Sequence, residues 1–169
     1  MTATVSLDAD CDRCAALCCM GPAFDRSDLF GFDKPAGEPC RNLDVCGRCR
    51  IHAGLKDQGF GGCAAFDCHG AGPFVTQRMF AGRSWMQDPE LIAPMTAAFA
   101  AVRQAHELLH MLRAAEALEL PAGARTALAG IERMLQPDGG WSQEDVTSGA
   151  VGAAVRTARE RLRALKGLL

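Results

Sequence analysis

Nine cysteines stand between Cys11 and Cys68, and none follows in a chain of 169 residues. This confinement divides the sequence into two textures that must become ordered by different means. From Cys11 to about Trp85 the chain is rich in Gly, Cys, Asp and Pro, with short apolar pieces and no sustained helical period. Such a stretch has few large aliphatic residues with which to build a core, so bound metal has to supply much of its folding free energy. The odd count and tight spacing favour thiolates kept reduced for metal over a disulfide framework. Residues Met1 to Asp12 carry Asp8, Asp10 and Asp12 as an acidic, solvated lead, with neither a cationic start nor a long apolar run. That pattern predicts a cytoplasmic protein with no secretory signal and no membrane span.

The texture changes at Asp88-Pro89-Glu90, where an N-cap residue, a proline suited to the first turn and an acid favoured by the helix dipole stand in order. A long helix is predicted from there to about Leu118, with Leu91, Met95, Ala98, Val102, Ala105, Leu109 and Leu112 as one apolar stripe. Pro121 opens a second, shorter helix with Leu128, Ile131 and Leu135 on its apolar face, and Pro137-Asp138-Gly139-Gly140 stops it. Ser142 and Asp145 form a capping box, with Trp141 and Val146 placed as a hydrophobic staple, for a third helix from Gln143 to Leu168. Its alanines Ala150, Ala153, Ala154 and Ala158 permit close packing, while Leu162 and Leu165 add to the core. Arg156, Arg159, Arg161, Arg163 and Lys166 suit its carbonyl end. The expected fold is mainly α: an irregular Cys-rich metal-binding module, residues 1–87, packed on an antiparallel three-helix unit, residues 88–169. With 18 basic against 20 acidic residues the net charge is -2, so no broad basic field marks nucleic acid as a partner.

Cys11-x-x-Cys14-x-x-x-Cys18-Cys19 opens the constellation. Cys-x-x-Cys is the spacing at which a turn brings two sulfurs to one metal. Adjacent cysteines point in different directions, so Cys18 and Cys19 are expected to serve two centres, or one cluster and its surroundings. A second group holds Cys40, Cys46, Cys49, Cys63 and Cys68, with His52 and His69 close behind cysteines and read as hydrogen-bonded imidazoles rather than ligands. Soft thiolates suit zinc, iron-sulfur clusters and cuprous copper alike. Gly59, Gly61, Gly62, Gly70 and Gly72 are read as letting the backbone turn around ligands, since no phosphate-loop context accompanies them. Met79, Met86, Met95, Met111 and Met134 are read as packing residues.

The opening motif, together with Cys40-x-x-Leu43, Cys49-x-Ile51-His52 and Gly59-Phe60-x-Gly62-Cys63-x-x-Phe66-x-Cys68, resembles the eight-cysteine CxxCxxxCC family of zinc- or iron-chelating domains. Relatives in that family include flagellin lysine methylases, where the motif is associated with an iron-sulfur cluster. More closely, Asp33-Lys34-Pro35-Ala36-Gly37-x-Pro39-Cys40, the Gly59 to Gly72 stretch and Gln77-x-x-Phe80-x-Gly82-x-x-Trp85 resemble the amino-terminal region of actinobacterial pentapeptide-repeat proteins. This chain ends in helices where repeats would begin, so no role of the repeats carries over. The resemblance implies Cys11, Cys14, Cys18, Cys19, Cys40, Cys49, Cys63 and Cys68 as ligands and leaves Cys46 as an extra thiol. Eight such ligands suit two tetrahedral zincs, or a cluster with a second ion. Because the iron-sulfur relatives share the cysteine pair, a cluster of the 4Fe-4S kind is preferred narrowly over zinc.

His106-Glu107-Leu108-Leu109-His110 matches H-E-x-x-H within the long helix. Against a zinc metallopeptidase stand the absence of an extended motif, of a clear third ligand and of an edge strand for a peptide substrate. The expected function is therefore metal binding with a redox, metal-handling or metal-dependent modification role, acting with an unidentified protein partner or substrate. The alternatives are a metal-stabilised protein-interaction module and the small metallopeptidase.

Overall fold

A computed structural model describes residues 4–165 of the chain. In it the cysteine-rich stretch is a loop path pinned by short helical pieces. These are a 3-10 turn at Cys11–Arg13, α1 (Leu17–Met20), a 3-10 turn at His52–Gly54, α2 (Gly61–Ala65) and α3 (Ala71–Phe74). Pro73 is tolerated in α3 because it lies in the first turn, whose N–H groups have no acceptor within the helix. α3 continues directly into a π-helical turn, Val75–Met79, closed by the Phe80 N–H donating to Val75 O at 3.1 Å. Extended pairing among the described residues is limited to isolated antiparallel bridges at Phe24–Lys34, Ser27–Phe30 and Leu43–Cys49. The fold is mainly α.

Asp88 caps the long helix as expected. Its carboxylate accepts the Glu90 N–H at 3.2 Å, Pro89 takes the first position, and one 3-10 turn, Pro89–Leu91, leads into α4 (Ile92–Ala115). Every residue of the predicted stripe from Leu91 to Leu112 is buried, joined by Phe99, His106 and Leu108 on its flanks. α5 (Ala122–Leu135) follows Pro121 and buries Ile131 and Leu135, with Leu128 partly covered.

The single third helix expected from Gln143 to Leu168 is instead two. α6 (Gln143–Thr147) starts on the predicted Ser142–Asp145 capping box, then stops, and α7 (Ala150–Leu165) begins afresh. Gly149 sits between them at φ 79°, a left-handed conformation that ends a helix and that glycine adopts without a Cβ penalty. The hydroxyls of Thr147 and Ser148 bond back to Gln143 O and Asp145 O, which competes with continuing the ladder. Of the four alanines expected to line a close contact, only Ala158 is fully buried, whereas Ala153 is exposed. Val151 and Val155 carry the α7 face instead, because the helix restarts out of phase with one begun at Gln143. Lys166 and Leu168 lie outside the described residues.

α4, α5 and α7 pack against one another pairwise. Their core joins Ala105, Leu108, Leu109 and Leu112 to Ile131, Leu135, Val151, Val155 and Ala158. A second core lies across the first half of α4. It brings Ala15, Leu17, Met20, Ala71, Val75, Met79 and Trp85 onto Leu91, Met95, Ala98, Phe99 and Val102. Apolar packing is thus continuous across Asp88, where the composition changes. The cysteine-rich half has few large aliphatic residues of its own and borrows the face of α4. Each large side chain so covered contributes roughly 1.5–3 kcal/mol. Among the described residues no helix is long and apolar enough to cross a membrane.

Candidate metal centre

The opening motif is held by its alanines. Ala15 donates its N–H to Thr76 Oγ1 at 3.0 Å, and its carbonyl accepts the Trp85 indole N–H at 2.6 Å. Thr76 in turn donates to Gly72 O at 3.0 Å, so the π-helical turn and Trp85 grip the backbone between Cys14 and Cys18 from two sides. Ala16 then adopts a left-handed conformation, φ 52°, which reverses the chain into α1. In that one turn Leu17 and Met20 point into the core and are fully covered, which leaves Cys18 and Cys19 facing away from it. The apolar-Cys-Cys-apolar order is therefore what turns two adjacent thiols toward the loops.

Those loops bring the other cysteines to α1. The Cys40 N–H donates to Cys19 O at 3.0 Å, and the Leu43–Cys49 bridge folds Cys49 back toward Cys40. Around the hydrogen-bonded Cys18–Cys19 pair the other thiols fall into two neighbouring sets, with Cys19 on the side of Cys40. In the first, burial raises the Cys14 thiol to about 11, with Cys18 and Cys68 adding to the effect against N–H groups of Leu17 and Ala16. Cys11 is raised by burial and by the same two thiols. In the second, burial raises Cys63 to about 11, with further contributions from Cys40, Cys18 and Cys49. Cys49 is raised by burial, and by Cys40 and Cys18. Cys18 itself is raised by its hydrogen bond with the Cys19 thiol and then by burial. These groups oppose one another's ionisation, as neighbouring thiolates do.

None of the nine cysteines is joined in a disulfide. Among the described residues no three His, Cys, Asp or Glu side chains stand at ligating geometry about one point. The donor chemistry nevertheless fits a thiophilic metal, and so does the space around it. A Cβ on Gly72 would lie 2.6 Å from Cys14 Sγ, so glycine lets this sulfur approach the α3 backbone, and Cys68 Sγ lies at an ordinary contact distance of 3.8 Å from the same point. Gly72 and Gly62, which lies under the Phe30 ring, are thus close-approach glycines, whereas Gly59 and Gly70, at φ 78° and 70°, serve the turns that were expected of all five. Cys46 is exposed beside Val45 at the tip of the loop that Asp44 closes by accepting the Cys46 and Arg48 N–H groups. Thr76 was absent from the sequence expectations. Its signal is a polar residue among apolar neighbours, which is too common to single it out.

The H-E-x-x-H histidines are engaged in packing. His106 is 1% exposed, donates Nδ1–H to His69 O at 2.7 Å and meets the edge of Phe74. His110 stacks on the His69 ring with centroids 4.5 Å apart, and Glu107 pairs with Arg103 at 3.5 Å. The His69 ring lies 3.9 Å from Asp67 Oδ1, and His52 is exposed. Met79 and Met95 are buried and Met86 packs on the first core, while Met134 is half-buried and Met111 is exposed.

Burial holds His106 down to about 4, with the carbonyl of His69 opposing that effect and Arg113 and the His69 ring reinforcing it. Its folded value lies below the unfolded one, so the unfolded chain binds the extra proton first. Stability supported by neutral His106 is complete above about pH 6.5 and is lost as pH falls toward 4. The loss totals about 3 kcal/mol at about 1.4 kcal/mol per unit. His106→Asn keeps a donor for His69 O and removes the titration. Chemical denaturation of this variant between pH 4 and 7 should show a fall in stability smaller than wild type by about that amount.

A mainly α, cysteine-rich chain with two adjoining thiol sets is the class that fold and site define. The chain is similar to the uncharacterized protein YybG of Bacillus subtilis (strain 168), 39% identical over 132 residues that cover 76% of this chain and 47% of that protein. The chain spans about half the length of the curated relative it matches. No protein-family description and no solved structure matches it.

Proposed function

We propose that this protein binds metal through Cys11, Cys14, Cys18, Cys19, Cys40, Cys49, Cys63 and Cys68, divided between two adjoining centres. The observation that supports this reading is that Cys11, Cys14 and Cys68 on one side, and Cys40, Cys49 and Cys63 on the other, come from distant stretches to the Cys18–Cys19 pair of α1, with Gly72 leaving room for Cys14. Four thiolates each suit a tetrahedral ion, and one set can hold an iron-sulfur cluster, which the resemblance to the eight-cysteine family favours narrowly over zinc. Ligation asks for side-chain rotation from the present arrangement, and binding as thiolates is coupled to proton release. The role is redox, metal handling or metal-dependent modification of a protein partner.

Anaerobic purification followed by elemental analysis and an absorption spectrum tests this. Brown protein with iron and acid-labile sulfide is the expected result. Colourless protein with about two zinc equivalents would reject the cluster and keep the thiolate centres. Metal content unchanged by Cys40→Ser and Cys68→Ser together would reject the centres themselves.

A further inference from the structure

Lys34 is the charged residue that the fold covers most completely. It is 5% exposed, yet among the described residues it makes no ion pair with a carboxylate. The adjacent Asp33 is occupied elsewhere, accepting the Arg26 N–H at 2.6 Å. Lys34 Nζ spends its three protons on backbone carbonyls: Pro22 O at 2.7 Å, Met20 O at 3.1 Å and Pro35 O at 3.1 Å. It also lies 5.9 Å from the centroid of the Phe24 ring. Carbonyls and an aromatic face orient an ammonium, but they bring no negative charge, and a buried charge without an opposite one is costly.

The placement of Lys34 supplies the missing partner. Met20 is the last residue of α1, directly after Cys18 and Cys19, and Cys40 is tied to Cys19 O by its N–H at 3.0 Å. A Phe24–Lys34 backbone bridge, with N–H to O distances of 3.0 and 2.8 Å, fixes the segment that delivers the lysine to this spot. We propose that Lys34 is the buried counter-ion of the second thiolate set, held by Met20, Pro22 and Pro35 so that its charge bears on Cys19 and Cys40. Burial lowers the affinity of Lys34 for its proton, and Cys40 and then Cys19 act most strongly in the opposite direction, ahead of Glu38. Four thiolates around a divalent ion leave a net negative charge, and a fixed ammonium offsets part of it without coordinating. The inference rests on the thiolate-centre reading and adds to it the residue that balances the charge.

The test compares metal-loaded wild type with Lys34→Gln, Lys34→Met and Lys34→Arg. Gln keeps hydrogen bonds to the carbonyls without charge, Met keeps shape alone, and Arg keeps charge. The two neutral variants differ in shape, so one remains informative if the other does not fold. The readouts are far-UV circular dichroism, the metal equivalents bound, and the pH midpoint of metal release to a competing chelator. Either folded neutral variant should bind the wild-type number of equivalents about tenfold more weakly, with its release midpoint raised by about half a pH unit or more. Lys34→Arg should restore the wild-type midpoint. A neutral, folded variant whose midpoint and affinity match wild type would overturn the proposal, provided Cys40→Ser moves both and so shows that the centre exists. If Cys40→Ser moves neither, the thiolate-centre reading fails first and the counter-ion falls with it.

Discussion

Chelating the metal proposed for the two thiol sets, under reducing conditions, is expected to release order from Cys11 to about Trp85 while α5, α7 and the second half of α4 keep their helical circular dichroism. The core joining those helices is built from Leu108, Leu109, Leu112, Ile131, Leu135, Val151 and Val155, and the cysteine loops contribute nothing to it. The other core depends on Ala15, Leu17, Met20 and Ala71, which the cysteine motifs place. A structural thiolate-bound zinc contributes on the order of 10 kcal/mol or more, as much as the large side chains of this segment bring to the core. Metal loss should therefore strip one face of α4, and amide exchange should rise over residues 92–102 as well as in the loops. That partial fraying separates this expectation from one of two independent halves. Hydrogen exchange with and without chelator reads it directly. Cooperative loss of all helical signal would show that the two cores fold as one unit.

What the sequence made legible follows from how local each determinant is. The α4 stripe, the Asp88 cap, the stop after Leu135 and the Ser142 capping box all rest on residues within a few positions of one another, and each stands in the structure. The break at Gly149 was local too, but the alanine-rich run after it masked a single glycine. In the site, the opening spacing marked Cys11, Cys14 and Cys18 as one local group, and Cys11 and Cys14 both lie near Cys18, whereas Cys18 and Cys19, expected to have different surroundings, are hydrogen-bonded to each other. Which distant cysteine joins which set was not readable, because the path from Cys19 to Cys63 has neither helical nor strand period. Lys34 was visible only as part of a resemblance. Its three acceptors are backbone carbonyls, Met20, Pro22 and Pro35, and a side chain that binds backbone leaves no complementary residue in the sequence.

Leu109→Ala is expected to destabilise the helical core by about 2–5 kcal/mol, the range for truncating a fully buried leucine where the surroundings cannot close the cavity. Leu109 has no exposed surface, and it faces elements fixed from three directions: α5 through Ile131 and Leu135, α7 through Val151 and Val155, and its own helix through Ala105 and Leu112. Met95→Ala removes an equally covered side chain from the other core, among Leu17, Met20 and Trp85. Both variants should unfold at lower denaturant concentration, yet they should differ in the metal. Met95 supports α1, whose outward face carries Cys18 and Cys19, so its loss should loosen both thiol sets and speed release to a chelator before global unfolding. Leu109 supports no cysteine-bearing element, so that variant should retain wild-type metal content and release rate until the helices themselves melt. Denaturation curves recorded with a chromogenic chelator follow both events in one sample. Release from Leu109→Ala well ahead of helix loss, with Met95→Ala behaving as wild type, would reverse the assignment of the two cores.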